Sequence, residues 1–251
     1  MNALKVLGGR GLREALRTPD ALLPTLFIPL FFLVVNVGQA ARIFPTDTTP
    51  FLKGQSYAAF QLPATILLAA SFGTAALYLV EEIENGYFDK IRATPVSRTS
   101  IALGRLISEP IKIAVMTVFI LLVAFPFGVT VTSGVVGVLL LVMLAAGWAT
   151  GYAAFLQFVA LKTRSAAATN SAGLVFFPLL FLTPNFVPRN LLTDQMEVAA
   201  TFNPVTYVME SMRSLILEPL NWPVIAPGFI VVAVFVGVML GINVRVMSSY
   251  D

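Results

Sequence analysis

Six stretches of this chain are each long and apolar enough to cross a lipid bilayer as a helix. A spanning helix needs about 20 mostly apolar residues to cross roughly 30 Å of hydrocarbon. The stretches are residues 22–41, 57–80, 111–129, 133–161, 166–184 and 224–246. The pattern predicts an all-α integral membrane protein, a six-helix bundle formed by a single transmembrane domain over residues 1–251.

The composition agrees with a protein whose solvent is lipid. Hydrophobic residues make up 57% of the 251 residues and charged residues 12%, whereas about a quarter of the residues of a soluble domain are charged. The chain has no cysteine and no histidine. This excludes disulfides, thiolate or imidazole metal sites, cysteine nucleophiles and histidine general bases. Residues 1–20 lack an early apolar core, so we do not expect them to be a cleavable signal.

Lysine and arginine are distributed unequally between the two sides of the predicted bundle. Twelve lie on one side, namely Lys5, Arg10, Arg13, Arg17, Lys90, Arg92, Arg98, Arg105, Lys112, Lys162, Arg164 and Arg245. Four lie on the other, namely Arg42, Lys53, Arg189 and Arg213. The positive-inside rule then places both termini and the 81–112 loop in the cytoplasm of a multi-pass protein of the inner or plasma membrane.

Two further segments are predicted to be helical without spanning the membrane. Leucines and basic residues alternate at helical spacing over residues 2–17, which predicts an amphipathic helix within residues 1–20 on the cytoplasmic interface. In the external connection 185–223, Asn203 and Pro204 form a helix start. The helix that follows has an apolar face but is too short and charged to span. We interpret it as partly re-entrant or as lying on the outer rim.

The densest charge of the chain lies in the predicted connection 81–105 between the second and third spans. A connection of this kind needs only a few residues, yet this one is long and its pattern is helical. An apolar ridge of Ile83, Tyr87, Phe88 and Ile91 is flanked by charged residues. Thr94-Pro95 is expected to end the helix, and Ser97 or Ser100 to cap the next one. The connection is either an interfacial elbow or a docking surface for a soluble protein, and aromatic anchors ringed by acidic residues favour the latter.

Two motifs carry a resemblance to a known family. The run "EEIENGYFDKIRATPVSRTSIALGRL" from residue 81 resembles the connection between helices two and three of ABC-2-type exporter permeases, in which an acidic-x-acidic-x-Gly run precedes a Thr-Pro turn. The stretch "FLTPNFVPRNLL…FNPVTYVMESMRSLI", residues 181–216, resembles the external signature of the same family. The matching external positions are Phe186, Pro188, Asn203, Pro204 and Arg213. The chain is most similar to the daunorubicin-resistance type of these permeases.

The resemblance implies a mechanism and partners. Two six-helix permeases, identical or different, would form the export path, and each would lay its charged connection into a groove on one of two cytoplasmic ABC ATPase subunits. The implied coupling residues are Glu82, Glu84, Gly86, Tyr87, Phe88, Arg92, Thr94 and Pro95. They would transmit motion and hydrolyse nothing.

No lysine of this chain belongs to a phosphate-binding loop. Such a loop places a glycine before its lysine, and none of the five lysines follows a glycine. We therefore expect the chain to be no enzyme and to bind no cofactor, with ATP and Mg²⁺ held by the partner ATPase.

Polar residues inside the predicted spans are candidates for the path, because polar groups at membrane depth are costly and usually face the bundle interior. The candidates are Asn36, Gln39, Gln61, Asn170 and Ser171, with Phe176 and Phe177 as an apolar constriction. The alternative for each polar residue is a hydrogen bond that only holds helices together, and the alternative for the two phenylalanines is contact with lipid. An aromatic, weakly polar path suits a small amphipathic drug or lipid better than an ion.

Other functions stay open at this point. A permease for a lipid-linked saccharide or glycolipid would have the same topology. An ATP-independent carrier or channel usually has charged groups at mid-membrane, and these spans have almost none. A membrane enzyme acting on lipid would need paired carboxylates or similar groups, which no span contains. Nothing indicates nucleic-acid binding.

Overall fold

The computed structural model describes residue 9 and residues 19–72, 75–94 and 96–248. The predicted interface helix and Pro95 lie outside these residues. All regular elements of the described part are helical. The α-helices are α1 (Pro19–Ala40), α2 (Tyr57–Ala70), α3 (Ala75–Glu84), α4 (Tyr87–Arg92), α5 (Arg98–Gly104), α6 (Ser108–Ala124), α7 (Gly134–Thr163), α8 (Ala166–Gly173), α9 (Phe176–Phe181), α10 (Asp194–Phe202), α11 (Pro204–Leu217) and α12 (Trp222–Ser248). Short 3-10 turns lie at Pro50–Leu52, Phe125–Phe127 and Arg189–Leu191.

Three uninterrupted helical stretches of the described residues are long and apolar enough to cross a membrane: Ser108–Phe127, Gly134–Thr163 and Trp222–Ser248. Thr25–Ala40, Tyr57–Ala70 and Ala166–Phe181 are shorter apolar helices. The all-helical class predicted from the sequence is confirmed. The count of six spans stays a prediction, because the second and fifth predicted spans are each divided into two helices.

Helix α2 forms the centre of the bundle. All of its residues are buried, and it packs against α1, α6, α7 and α11. A helix that is apolar on every side is stable only when other helices surround it. By contrast, Phe27 and Phe31 of α1, Leu122 of α6 and Ile230 of α12 are exposed apolar side chains, as expected for surfaces that face lipid.

Helices α7 and α12 pack together along much of their length. Gly147 and Gly151 of α7 permit the close approach, because a Cβ on either would meet the side chain of Val232 or Phe235 at under 3 Å. These two glycines form the first of two Gly-xxx-Gly spacings in the sequence. Further along the interface, Asn243 of α12 accepts a hydrogen bond from Gln157 of α7 at 3.1 Å and donates to the Ala154 carbonyl at 2.7 Å.

The connections gather at two ends of the bundle. One end, called here the loop end, comprises residues 81–107, 162–166 and 245–248. The other, called the signature end, comprises residues 42–56, 125–133 and 183–221. At the signature end the Gln55 amide donates to Thr132 Oγ1 at 2.7 Å and to the Ile216 carbonyl at 2.8 Å. This division of the connections agrees with the two sides expected from the sequence.

Helix α11 is the helix predicted to be partly re-entrant or to lie on the outer rim. Most of its residues, from Val205 to Leu217, are buried, and it contacts α2, α7 and α12. The rim interpretation is therefore wrong, because an apolar stripe is stabilised by burial among other helices rather than at the surface. Asn203 is the N-cap, as expected, and its side chain accepts a hydrogen bond from the Val205 amide at 3.0 Å.

Candidate functional site

A cavity of about 420 Å³, called here the central cavity, opens between α1, α2, α3, α7, α8 and α9. Its lining contains four of the residues predicted for the path, namely Asn170, Ser171, Phe176 and Phe177. Thr25, Ser71 and Thr169 add further hydroxyl groups. None of the described residues that line this cavity is charged, so this part of its wall is weakly polar. The volume lies in the range of about 300–1,000 Å³ that drug-sized ligands occupy.

The central cavity lies at two helix interruptions. The first follows the end of α2, at Ser71 and Phe72, and the second separates α8 from α9 at Leu174 and Val175. Ser71 and Phe72 contribute to the lining from the first interruption, and Gly173 and Leu174 from the second. Interrupted helices at membrane depth are tolerated where the backbone is buried in protein or lines a cavity.

Two aromatic residues of α7 satisfy polar groups at these interruptions. Trp148 Nε1 donates a hydrogen bond to Ser71 Oγ at 2.9 Å. The Tyr152 hydroxyl donates to the Gly173 carbonyl at 2.8 Å. Phe176 packs edge-on against the Tyr152 ring. The sequence analysis did not identify Trp148 or Tyr152 as site residues, since aromatic residues four apart in an apolar helix are equally expected in a core.

A smaller cavity of about 30 Å³, called here the upper cavity, adjoins the central cavity on the side of the signature end. Asn36, Gln61 and Asn185 line it, and Leu68 and Phe177 line both cavities. Phe177 therefore lies between the two cavities, while Phe176 lines only the central one, and a constriction formed by this pair stays a prediction. Gln39, the remaining predicted path residue, is exposed and lines neither cavity.

Gln61 also holds the bundle together. Its amide donates to the Tyr57 hydroxyl at 2.8 Å and to the Asn185 carbonyl at 3.1 Å. The Tyr57 hydroxyl donates in turn to the Phe186 carbonyl at 2.9 Å. The upper cavity is thus tied to the stretch 183–186, where the external signature begins.

The charged connection is helical at the loop end, as predicted. Helix α3 ends at Glu84, and α4 begins at Tyr87 after a turn in which Gly86 takes the left-handed conformation, with φ of 66°. A glycine at this position is explained by its backbone, because other residues rarely adopt a positive φ. Ser97 is the N-cap of α5 and accepts a hydrogen bond from the Ser100 amide at 3.1 Å, so the first of the two predicted caps is confirmed.

Two of the predicted coupling residues face the interior of the protein. Glu82 is 8% exposed and forms an ion pair with Arg105. Phe88 is 1% exposed and belongs to the main hydrophobic core. These two side chains hold the charged connection against the bundle and leave little surface for a partner.

The outer face of the connection carries the other described side chains of the set. Glu84 and Thr94 are exposed, and Tyr87 is 42% exposed. The Thr94 hydroxyl donates to the Ile91 carbonyl at 2.6 Å and closes the end of α4. The backbone of Arg92 lies in the last turn of α4. We call Glu84, Tyr87 and Thr94 the outer face.

Arg98 links the charged connection to the last helix. Its guanidinium donates to the Ser248 carbonyl at 2.9 Å and to the Met247 carbonyl at 3.4 Å. These carbonyls belong to the C-terminal turn of α12, where a positive charge is favoured. A displacement of α5 would therefore act directly on α12.

The external signature residues lie together at the signature end. Arg213 of α11 is 7% exposed, donates to the Phe60 and Pro184 carbonyls at 3.3 and 3.0 Å, and covers the Phe60 ring. Burial lowers the pKa of the Arg213 guanidinium to about 10, an effect that nearby Glu210 opposes. Arg213 is therefore charged at neutral pH.

The other signature positions have structural roles. Phe186 is partly exposed and its carbonyl accepts the Tyr57 bond. Pro188 precedes the turn Arg189–Leu191. Asn203 donates to the Leu179 carbonyl at 2.6 Å, which ties the start of α11 to α9, and Pro204 occupies the first turn of α11.

Comparison with known proteins gives two results. Residues 2–217 match the family described as ABC-2 type transporter. The chain is also 24% identical over 205 residues to the daunorubicin resistance ABC transporter permease protein DrrB1 of Streptomyces coeruleorubidus, a match covering 78% of this chain and 69% of that protein. It is 25% identical over 236 residues to the probable doxorubicin resistance ABC transporter permease protein DrrC of Mycobacterium tuberculosis, covering 90% of this chain and 82% of that protein.

Proposed function

The chain belongs to the ABC-2 type transporter family, and we propose that it is the membrane-spanning half of an ATP-driven exporter for a small amphipathic compound. Its relatives are permease subunits, which are transport components rather than enzymes. Permeases of this family work with ABC ATPase partners, so ATP and Mg²⁺ would be bound by those partners. The two relatives are named for resistance to daunorubicin and doxorubicin, and an export path for compounds of that amphipathic kind is the function proposed.

The observation that carries the proposal is the division of the charged connection into two faces. Glu82 and Phe88 are buried and hold the connection against the bundle, while Glu84 and Tyr87 are exposed on its other face. Docking surfaces concentrate binding energy in a partly exposed aromatic residue surrounded by polar groups. We propose that two ATPase subunits bind the outer faces of two permeases, and that residues 81–98 then transmit ATP-driven motion. An elbow that only turns the chain would need no exposed aromatic residue between acidic ones.

The route of transmission follows from contacts within the chain. Arg98 joins the connection to the end of α12, and the Glu82–Arg105 pair joins α3 to the residue that follows α5. Helix α3 also continues toward the first interruption, which borders the central cavity. Motion of the connection would in this proposal change the shape of the central cavity.

We propose that the central and upper cavities are this subunit's share of the export path. The first is large enough for a drug-sized ligand, and its wall combines hydroxyl and amide groups with Phe176 and Phe177. Six membrane crossings with cytoplasmic termini remain part of the proposal, in which each interrupted pair, α2–α3 and α8–α9, counts as one crossing. A second permease, either identical or different, would complete the path.

The described linings of the central and upper cavities contain no charged residue, and this helps to decide between an amphipathic substrate and an ion. Ion-coupled carriers and ion channels place charged or strongly coordinating groups along the path, and neither described cavity has a charged lining residue. This favours an amphipathic substrate over an ion. The alternative substrate class is a lipid-linked saccharide or glycolipid.

Co-purification tests the proposal. The tagged permease is expressed together with its neighbouring genes, solubilised gently, and compared with Glu84→Arg, which reverses one outer-face charge. The same substitution at the opposite end, Glu197→Arg, is the matched control, since Glu197 is also exposed. We expect the ATPase to accompany the wild type and Glu197→Arg and to be lost with Glu84→Arg. An ATPase that accompanies none of the three proteins, or all three equally, would contradict the docking role.

A further inference from the structure

A third cavity, of about 530 Å³ and called here the outer cavity, lies at the signature end between α2, α11 and the connections. Its lining carries three cations, Lys53, Arg189 and Arg213, and two acids, Glu210 and Glu218. Positive charge therefore exceeds negative charge by one in this cavity. The exporter function proposed above makes no use of it.

Both acids are already engaged by the two outer cations. Arg189 binds Glu210 with two parallel hydrogen bonds, Nε to Oε1 at 3.1 Å and Nη2 to Oε2 at 2.8 Å. Lys53 Nζ lies 3.5 Å from Glu218 Oε1. Neither carboxylate is within ion-pair distance of Arg213 in the described part of the chain.

Arg213 is thus a buried cation whose direct contacts in the described part of the chain are neutral, while Glu210 acts on it only from beyond ion-pair distance. Two backbone carbonyls and the Phe60 ring contact it, the ring centroid being 3.7 Å from Cζ. Its Nη2 is buried and has no hydrogen-bond partner among the residues that the structure describes. A buried guanidinium is unfavourable unless an anion or a full set of acceptors satisfies it. Since Arg213 lines the outer cavity, an anionic group bound there would supply the negative charge and the hydrogen-bond acceptor that Arg213 lacks.

The other residues that line the outer cavity indicate which class of anionic ligand would fit it. Phe51, Leu217 and Val224 form an apolar part next to the cationic part, which suits a molecule with an anionic head and an apolar body. Guanidinium groups match the oxygen geometry of phosphate and form strong charge-assisted hydrogen bonds with it. Basic pockets between membrane helices are suited to lipid head groups in the same way.

We propose that the outer cavity binds a phosphate group, carried by the head of a membrane lipid, with Arg213 as the contact residue and Lys53 at the rim. The phosphate would accept hydrogen bonds from the guanidinium, and the upper part of the lipid would contact the apolar wall. Binding at this site requires no ATPase partner, so it can be tested whether or not the exporter proposal is correct.

Binding is measured on the purified full chain in a non-ionic detergent, with short-chain phosphatidylglycerol and inorganic phosphate as separate probes in titration calorimetry. We expect saturable binding of phosphatidylglycerol. Arg213→Gln should weaken it about tenfold or more, because a hydrogen bond to a charged group is lost. Lys53→Gln should weaken it about threefold, because Lys53 is more exposed. Arg42→Gln removes an exposed cation from the same end without touching the cavity, and it should bind as the wild type does.

The two probes distinguish the source of the phosphate. Binding of phosphatidylglycerol alone supports a lipid head group, whereas binding of inorganic phosphate at similar concentration supports a site for free phosphate, with Arg213 in the same role. Should Arg213→Gln fail to fold, Lys53→Gln decides between the outcomes. Saturable binding of neither probe, or binding that both variants leave unchanged, would overturn the proposal.

Discussion

Trp148 and Tyr152 lie one turn apart on α7, and each donates a hydrogen bond to one of the two helix interruptions beside the central cavity, Trp148 to Ser71 and Tyr152 to Gly173. A single helix thereby fixes both interruptions relative to each other. Because the interruptions line the cavity, the shape of the cavity depends on these two hydrogen bonds.

Removing the Tyr152 hydroxyl should weaken both the fold and ligand binding. Tyr152→Phe leaves the Gly173 carbonyl without its donor, which should cost about 1–3 kcal/mol in the free energy of unfolding. We expect a lower thermal midpoint in detergent and, under the proposed function, weaker binding of daunorubicin, the test compound, by equilibrium dialysis. Tyr207→Phe removes a similar but solvent-exposed hydroxyl-to-carbonyl bond, and Tyr207 does not line the central cavity, so this variant should leave daunorubicin binding unchanged. Equal effects of the two variants would contradict the role given to Tyr152.

Gly86 should tolerate substitution poorly although space is available. Its φ of 66° would strain an alanine by about 1–2 kcal/mol, while nothing lies within 4 Å of an added Cβ. Gly86→Ala should lower the thermal midpoint, and Gly86→Asn should recover part of the loss because asparagine adopts this conformation more easily. Gly237→Ala also adds a methyl group in open space but at an ordinary φ, so it should have little effect. An unchanged midpoint for Gly86→Ala would show that backbone strain is unimportant there.

Adjacent aromatic residues of α4 should respond in opposite ways. Phe88 is 1% exposed, so Phe88→Ala should cost about 3–5 kcal/mol of stability through lost burial and a new cavity. Tyr87 is 42% exposed, so Tyr87→Ala should change stability little and instead reduce ATPase recovery in the co-purification. Thermal unfolding and recovered ATPase are measured on the same preparations. A stable Phe88→Ala protein, or normal ATPase recovery with Tyr87→Ala, would contradict the two-faced arrangement.

A comparison of Asn170 with Gln39 tests whether a polar residue that lines the central cavity matters more for ligand binding than one that does not. Both side chains are exposed, but Asn170 lines the central cavity whereas Gln39 lines neither the central nor the upper cavity. Asn170→Leu should weaken daunorubicin binding by about three- to tenfold, the range expected for one lost polar contact, and Gln39→Leu should have no effect on it. Comparable losses from both substitutions, or from neither, would argue against the central cavity as the path.

The sequence was sufficient for the helical class and for the division of the chain between two ends. Apolar length predicts helices, and the basic residues are grouped by end whatever the packing. The Ser97 cap and the Asn203 cap also follow from local chemistry, because a cap depends only on neighbouring residues.

The interruptions could not be predicted from hydropathy. Residues 57–80 and 166–184 are each apolar enough on average to read as one span. The breaks depend on donors that are distant in the chain, such as Trp148 at Ser71. The burial of α11 escaped prediction for the same reason, since an apolar stripe does not reveal which helices will cover it. Glu82 and Glu84 look alike in the sequence, and only the position of Arg105 distinguishes the inward residue from the outward one.

Protection of a single cysteine tests most directly whether the outer face binds an ATPase. The chain has no native cysteine, so Asn85→Cys, between Glu84 and Gly86, and Lys162→Cys, an exposed position elsewhere at the loop end, each give one labelling site. With the permease alone, both should react readily with a water-soluble maleimide. With the ATPase co-expressed, labelling at position 85 should fall severalfold, while labelling at position 162 stays unchanged. Equal labelling at position 85 with and without an ATPase that is shown to be bound would contradict docking at this face.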